Sequence, residues 1–471
     1  MQRTLRHVAS LSLPACLFGI VGFSTQDVHA ETLLAGVSLP RTASTESRII
    51  APDLWARHTL LGDWYGLRPA LDNVGISFSL NQTSDYLGNT QGGLRQGFVY
   101  DGLLDLEIDV DLNKAVGWRG GLFHATGYGI QGQDLSTQFV GNLMTASNIE
   151  ATPSIGKLGE VWLGQQLLDN RLNLRAGLIE ADHYYMISPT ASVFVNSTFG
   201  FPDAWEANMP GAGPGFPNAV PGGLVSYNLD TRLKITASVM NGSPVGPTTS
   251  STSYGTGFPV GDGVLSWFEL AYSTRFHQGE ATLSGTYKIG GWYNSNKVDN
   301  VTLSQTGRTF TNPVNQNYRG QYSVYGLLDQ TLWREPNSLT QGLSAFVRAT
   351  LSPQQQMSVV TSYFDTGVAY TGLFDHRPED ILALGFAWAK FTPYLNSQIA
   401  AENTLSGTAT PMPTPEQLIE LTYQAPISPW LTLQPFAQYV INPGGKAPMT
   451  NNPNQAIPNA TIVGVRANIA F

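Results

Sequence analysis

The stretch Asp101–Leu112, DGLLDLEIDVDL, admits few folds. Leu104, Leu106, Ile108, Val110 and Leu112 share one parity, while Asp105, Glu107, Asp109 and Asp111 share the other. Side chains of a strand alternate between faces with a period of two, so this stretch is a wall with an apolar side and an acidic side. Unpaired carboxylates are too costly to bury, so the acidic side must meet water. A soluble sandwich could turn such a side outward, but it would not repeat the pattern strand after strand with very short turns on one side.

The repetition is present. Segments Val74–Tyr86, Asp101–Leu112, Trp118–Gly129, Lys157–Leu167, Arg171–Glu180, Gly223–Leu229, Arg232–Met240 and Val264–Phe276 read as strands. So do Glu280–Gly291, Gly320–Trp333, Leu339–Leu351, Gln356–Thr371, Asp380–Phe391, Glu416–Ala425, Trp430–Ile441 and Thr461–Phe471. Short connections such as Leu168–Asn170, Asp230-Thr231 and His277–Gly279 alternate with longer ones rich in Gly, Pro, Asn and Ser. The last stretch, TIVGVRANIAF, places Phe471, Ile469, Ala467, Val465 and Val463 on one face and Arg466 and Asn468 on the other. The predicted class is therefore all-β: a transmembrane antiparallel barrel of about 16 strands, with short periplasmic turns and long extracellular loops. Trp118, Trp333, Trp430 and Phe471 fall at the short-turn ends, where an interfacial aromatic girdle is expected.

The amino end fits that destination. Arg3 and Arg6 precede an apolar run from Val8 to Phe23, and Val28-His29-Ala30 is a small-x-small site, so Met1–Ala30 reads as a secretory signal peptide. Residues 31–73 form an expected periplasmic extension carrying a short helix, and residues 74–471 the barrel. Removing two of 25 basic and one of 34 acidic residues with the signal leaves 23 and 33, a net charge of −10, which disfavours nucleic acid as a partner. The single cysteine, Cys16, leaves with the signal, so disulfides and thiol chemistry are excluded. No later apolar run reaches the roughly 18 residues of a membrane helix. Lipid offers unpaired backbone groups no partner, so a membrane form must be a closed barrel.

The chain resembles the carbohydrate-selective porins of the OprB family over nearly all of residues 31–471. The resemblance rests on LLGDWYGLRPALDNVGI, GGLRQGFVYDGLLDLEIDVDL, VGWRGGLFHATGYGIQGQDLS, VGNLMTASNIEA, EVWLGQQLLDNRLNLRAGLIEAD, NSTFGFPDAW, LSAFVRA, TGLFDHRPEDILALGFA and LTLQPFAQYVINPGG, in that order. It implies a sixteen-stranded outer-membrane barrel through which mono- and oligosaccharides diffuse inward. One departure is His183 in Asp182-His183-Tyr184-Tyr185, where the family tends to carry an acidic residue before the aromatic pair.

A sugar presents hydroxyls in all directions, so a selective path needs charged or amide groups and aromatic surfaces. Inward parity and loop position nominate Arg95, Arg119, Glu160, Trp162, Arg175 and Asp182 for the constriction. Asp105, Glu107, Asp109, Asp111, Lys234 and Arg348 are expected along the lumen wall, with His124, Gln166 and Asn173 inward and Asp134 on a loop that could dip into the lumen. Alternate residues of one strand diverge, which disfavours a calcium site on the acidic ladder, and no metal or cofactor is expected. The expected partners are sugars as solutes, outer-membrane lipid and the barrel-assembly machinery through Phe471, with monomer and trimer both open. Two other readings are a general small-solute porin and a barrel enzyme. For the enzyme, His183 with Ser188 or Ser192 offers only nearness in sequence. An anion porin would need clustered Lys and Arg in the lumen, which the acidic balance argues against.

Overall fold

The structure, a computed structural model, describes residues 53–244, 254–258, 260–279, 281–299, 301, 317–336 and 338–471. The expected signal peptide, the first part of the extension and Glu280 lie outside the described residues.

Among the described residues, eighteen strands form. They are β1 (Ile76–Gln91), β2 (Gly97–Asp111), β3 (Gly121–Gly132), β4 (Ser154–Leu167), β5 (Leu172–Ile179), β6 (Val220–Asn228), β7 (Leu233–Asn241), β8 (Val264–Gln278) and β9 (Ala281–Asp299). They continue with β10 (Asn317–Arg334), β11 (Gly342–Leu351), β12 (Val360–Thr371), β13 (Ile381–Phe391), β14 (Glu416–Ser428), β15 (Leu431–Ile441), β16 (Pro448–Met449), β17 (Asn452–Ala456) and β18 (Ala460–Ala470). Strands β1–β15 and β18 close into one barrel in which sequence neighbours pair and β18 returns to β1, while β16 and β17 form a small separate hairpin. Sixteen strands thus make the wall, each overlapping one of the segments read from the sequence. No helix among the described residues is long and apolar enough to cross a membrane.

The pleat sorts side chains as the alternation requires. In the β1–β2 register, Leu80 opposes Leu106 and Phe78 opposes Ile108, while Ser79 opposes Glu107 and Asn81 opposes Asp105. Leu163, Val239, Phe268, Ile289, Leu328, Leu384 and Val465 all stand exposed on the outer face. Water would not tolerate a continuous apolar belt of that extent, but hydrocarbon does.

Closure is braced from the amino side. In the register of β1 and β18, Asp85 faces Arg466, and the guanidinium grips the carboxylate with both Nε (2.8 Å) and Nη2 (2.7 Å). The helix Leu67–Asn73 sends Arg68 to the main-chain oxygens of Phe78 (2.9 Å) and Phe471, and Leu60 N–H donates to Ala470 O at 2.7 Å. Two of the expected girdle aromatics are therefore covered. Phe471 is 6 % exposed, and Trp430 is 9 % exposed under a stacked Trp55. Trp118 and Trp333 remain exposed.

The first connection at the long-loop end is a correction. Strands β1 and β2 run further than their alternation suggested, leaving a turn of residues 92–96 where a long loop was expected. Among the longer connections at that end, residues 133–153 and 180–219 both fold against the inner wall.

Candidate functional site

One side of the interior is filled. The β5–β6 connection buries Tyr185, Met186, Phe194, Val195, Phe199 and Trp205 against the inner face of β7–β14. Glycines make room there: a Cβ on Gly385 would lie 2.7 Å from the Phe199 ring, and one on Gly367 3.0 Å from Phe194. Charged wall residues then take up the loop's backbone. Arg348, fully buried, forks onto Asp365 (3.0 and 2.5 Å) and donates to the carbonyls of Gly200 (2.8 Å), Thr198 (2.9 Å) and Phe199 (3.0 Å). Glu420 accepts from Val195 N (2.7 Å) and Asn196 N (2.9 Å), and Glu269 accepts from Met186 N (2.9 Å). Asp329 accepts from Thr190 N (2.9 Å) and from Ser188 Oγ. The 133–153 connection is held likewise, with Met144 N on Glu416 at 2.7 Å and Ser147 Oγ on Asp85 at 2.6 Å. Buried backbone donors and acceptors must find partners, and these inward charges supply them.

Arg348 is thus on the inward face as expected, but it is a buried anchor and not a wetted wall group. Asp111 is also corrected: it ends β2 and caps the helix Leu112–Val116, accepting from Asn113 N (2.9 Å) and Lys114 N (3.2 Å). Lys234 lies on the inward register of β7 opposite Asn228, next to the short turn into β6.

Along β2–β5 the loop touches the inner wall at its two ends, through the turn of residues 181–184 and through Phe216 on Tyr128 (5.2 Å) and Asn218 on Lys157 Nζ (2.7 Å). At that turn the side chains converge. Glu160, 2 % exposed on β4, accepts from Trp162 Nε1 (3.2 Å), Tyr184 OH (2.7 Å) and Glu180 N (2.8 Å), and its Oε2 lies 3.3 Å from His183 Nδ1. His124 stacks on Trp162 at 4.9 Å and 18°, and its Nδ1 meets Asp109 Oδ1 at 2.8 Å. The Arg175 guanidinium sits over the Trp162 ring at 4.4 Å and over the Tyr184 ring at 5.0 Å. Trp162 owes its place to Gly177 across the β4–β5 register, whose Cβ would stand 2.1 Å from Val161 O and whose φ of +153° disfavours other residues.

Of the six nominated constriction residues, Glu160, Trp162, Arg175 and Asp182 come together and two do not. Arg95 sits on the turn of residues 92–96, donating to Gln138 O (3.0 Å) and lying over Phe139 at 4.0 Å. Arg119 is exposed at the opposite end of the barrel, between the helix Leu112–Val116 and β3. Asp134 stays within its own turn, accepting from Thr137 N at 2.7 Å. Sequence reasoning left Tyr184, Tyr128 and Glu180 out. Tyr128 OH donates to Glu180 Oε2 at 2.8 Å, a contact whose only sequence signal is their shared inward parity. Trp162, with His124 and Arg175 on its ring, is a packing plate rather than an open platform.

The loop charges are balanced locally. Partial desolvation disfavours a charged imidazole at His183, which is still 38 % exposed, but its bond to Glu160 and the charges of Asp182, Glu160 and Glu180 outweigh this and hold it well above the ordinary value. Burial raises the Asp182 carboxyl against the opposing pull of His183 and of Phe216 N–H, which donates to it at 2.9 Å. Below this cluster a cavity of ≈ 180 Å³ opens toward the short-turn end, lined by Asp72, Ser77, Asp109, Lys114 and Trp162. The serines invoked for an enzyme bond elsewhere among the described residues, Ser188 to Asp329 and Ser192 to Pro189 O.

Residues 95–471 match the family described as carbohydrate-selective porin, OprB family. This chain belongs to that family. It is similar to Porin B of Pseudomonas aeruginosa, 24 % identical over 436 residues that cover 88 % of this chain and 91 % of that protein. The high-pH structure of Pseudomonas putida OprB superposes with a TM-score of 0.76 at 22 % identity, covering 88 % of this chain and 99 % of the other. The low-pH structure of the same protein gives a TM-score of 0.54 at 17 % identity over the same shares. The OprB-family chain described above is a carbohydrate-selective porin of the bacterial outer membrane, and its closed sixteen-stranded wall is the channel.

Proposed function

We propose that sugars pass between the β2–β5 wall and the loop turn of residues 181–184, and that Arg175, His183 and Tyr184 form the selective edge. The observation that carries this reading is the clamped guanidinium: Arg175 lies between two aromatic rings, which fix its donors in space, while Glu160 fixes both aromatics by hydrogen bonds. A held guanidinium presents several N–H donors in a rigid fork to sugar oxygens, at little ordering cost on binding. Across the path, Glu107 and Asp109 accept from sugar hydroxyls. Each contact is water-exposed and modest, so a sugar is recognised and still released. Asp182 positions the turn through Phe216, and Glu160 and Trp162 support Arg175 from beneath. The cavity above Ser77 and Asp109 is the exit vestibule on the periplasmic side.

We further propose that Met1–Ala30 directs export, that residues 31–73 lie on the periplasmic side, and that Phe471 is the signal read by the barrel-assembly machinery. Liposome swelling tests the function. Hexoses should outpace neutral amino acids of similar size, and Arg175→Ala should remove that preference while leaving swelling by small ions intact. Equal rates for sugars and amino acids in the unmodified protein would favour a general porin.

A further inference from the structure

Glu180, Asp182 and His183 each offer one ligand atom, and the three atoms lie within 4.8 Å of one another. Three-residue clusters of this kind are common without an ion, so the case rests on what surrounds these. Glu180 is 0 % exposed, yet its Oε1 has no hydrogen-bond partner in the protein, and the buried Oδ1 of Asp182 has none either. A buried carboxylate oxygen left without a donor is expensive, and a cation bound by these two carboxylates would offset that cost.

The histidine geometry points the same way. His183 Nε2 and Glu180 Oε2 are 3.7 Å apart, too far for a hydrogen bond. Two ligands at zinc distances of about 2.1 Å and a tetrahedral angle stand roughly 3.4 Å apart, so the gap is close to that of a shared metal. The opposite ring nitrogen, Nδ1, faces Glu160 Oε2 at 3.3 Å. A carboxylate behind the ring holds Nδ1 and turns Nε2 toward the cluster, the usual support for a metal-bound histidine. Tyr128 holds the Glu180 carboxylate in the same way, through its hydroxyl. His183 is 38 % exposed, so the fourth position faces the lumen and water.

We propose that Glu180, Asp182 and His183 bind a divalent transition-metal cation of the zinc class, and that its occupancy slows sugar passage. Imidazole with two carboxylates suits zinc, cobalt or nickel better than calcium, which prefers six or more oxygens. The metal displaces the imidazole proton to solvent and fixes His183 in the cluster, with a hydrated cation standing at the selective edge. The effect on passage rests on the sugar path proposed above, whereas the site itself does not.

Calorimetry with zinc chloride on the full-length protein in detergent should give one ion per barrel, and His183→Ala should weaken binding at least 10-fold. Replacing the exposed His376 should leave binding unchanged, and Asp182→Asn provides a second variant should His183→Ala fail to fold. Cobalt substitution should give the visible absorption of a tetrahedral nitrogen–oxygen site. Absence of a stoichiometric ion, or equal binding by both loop variants, overturns the site. Zinc that binds without slowing glucose-driven swelling overturns the effect on passage. The metal-free Arg175→Ala comparison judges the sugar path independently of either result.

Discussion

Arg348 and Arg175 both project inward from barrel strands, and their surroundings differ completely. Arg348 is fully buried, paired with Asp365 and capped by four loop carbonyls. Arg175 is half-buried, lying against Trp162 and Tyr184. The same contrast runs through the acids: Glu420 and Glu416 bind loop amides, whereas Asp109 on β2 is half-exposed beside His124. One side of the barrel uses its charges to hold a folded-in loop, and the other leaves them to meet solute. In the path proposed above, the filled side sets where sugars run and the open side what they meet.

The comparison breaks most readily at Arg348. Arg348→Ala strands Asp365 and the loop carbonyls in a dry interior, a loss of about 3–5 kcal/mol. Denaturant unfolding in detergent should show it, and single-channel recordings should become larger and noisier as the loop leaves the wall. A quiet, unchanged channel would show that apolar packing alone seats the loop. Glu420→Gln is a milder version on the same side: it keeps shape but weakens two charge-assisted bonds, costing about 1–2 kcal/mol.

On the open side, Arg175→Ala should lower apparent sugar affinity by roughly 5- to 10-fold, about 1–1.4 kcal/mol, while barely changing stability. Inhibition of single-channel current by glucose reads it directly. Arg119→Ala should change neither conductance selectivity nor sugar inhibition, because its side chain lies at the far end of the barrel.

A further, small effect is one of pH. Burial, the hydrogen bond with Asp134 and that neighbour's charge raise the Glu150 carboxyl well above its ordinary 4.5. The folded loop 133–153 therefore favours the protonated acid, so this contribution is complete below about pH 4.5 and declines as pH rises toward the raised value. Proteolytic protection of that loop should fall accordingly, and Glu150→Gln should flatten the profile. A flat profile in the unmodified protein would mean that the Glu150 carboxyl does not set the stability of the loop.

The strands were legible because alternation is a local property: two residues along a strand share a face whatever the rest of the chain does. Sixteen segments, their order, the outer belt from Leu106 to Val465 and the inward parity of Glu160, Arg175 and Arg348 all follow from it. The length of β1 and β2 did not, since Gly88 and Gly97 carry no alternating signal, and Arg95 was consequently placed on a loop that is a tight turn. Nor did the site's third side, because Tyr184 and Glu180 reach Glu160 only through the path of the loop that follows β5.

By itself, then, the sequence determined which side of the wall each residue faces, since that depends on neighbours one and two positions away. Only the tertiary structure decided which inward charges meet water and which are sealed. That outcome depends on where residues 180–219 pack, and the contacts that set it join Arg348 to Gly200 and Glu420 to Val195 across long separations in the chain.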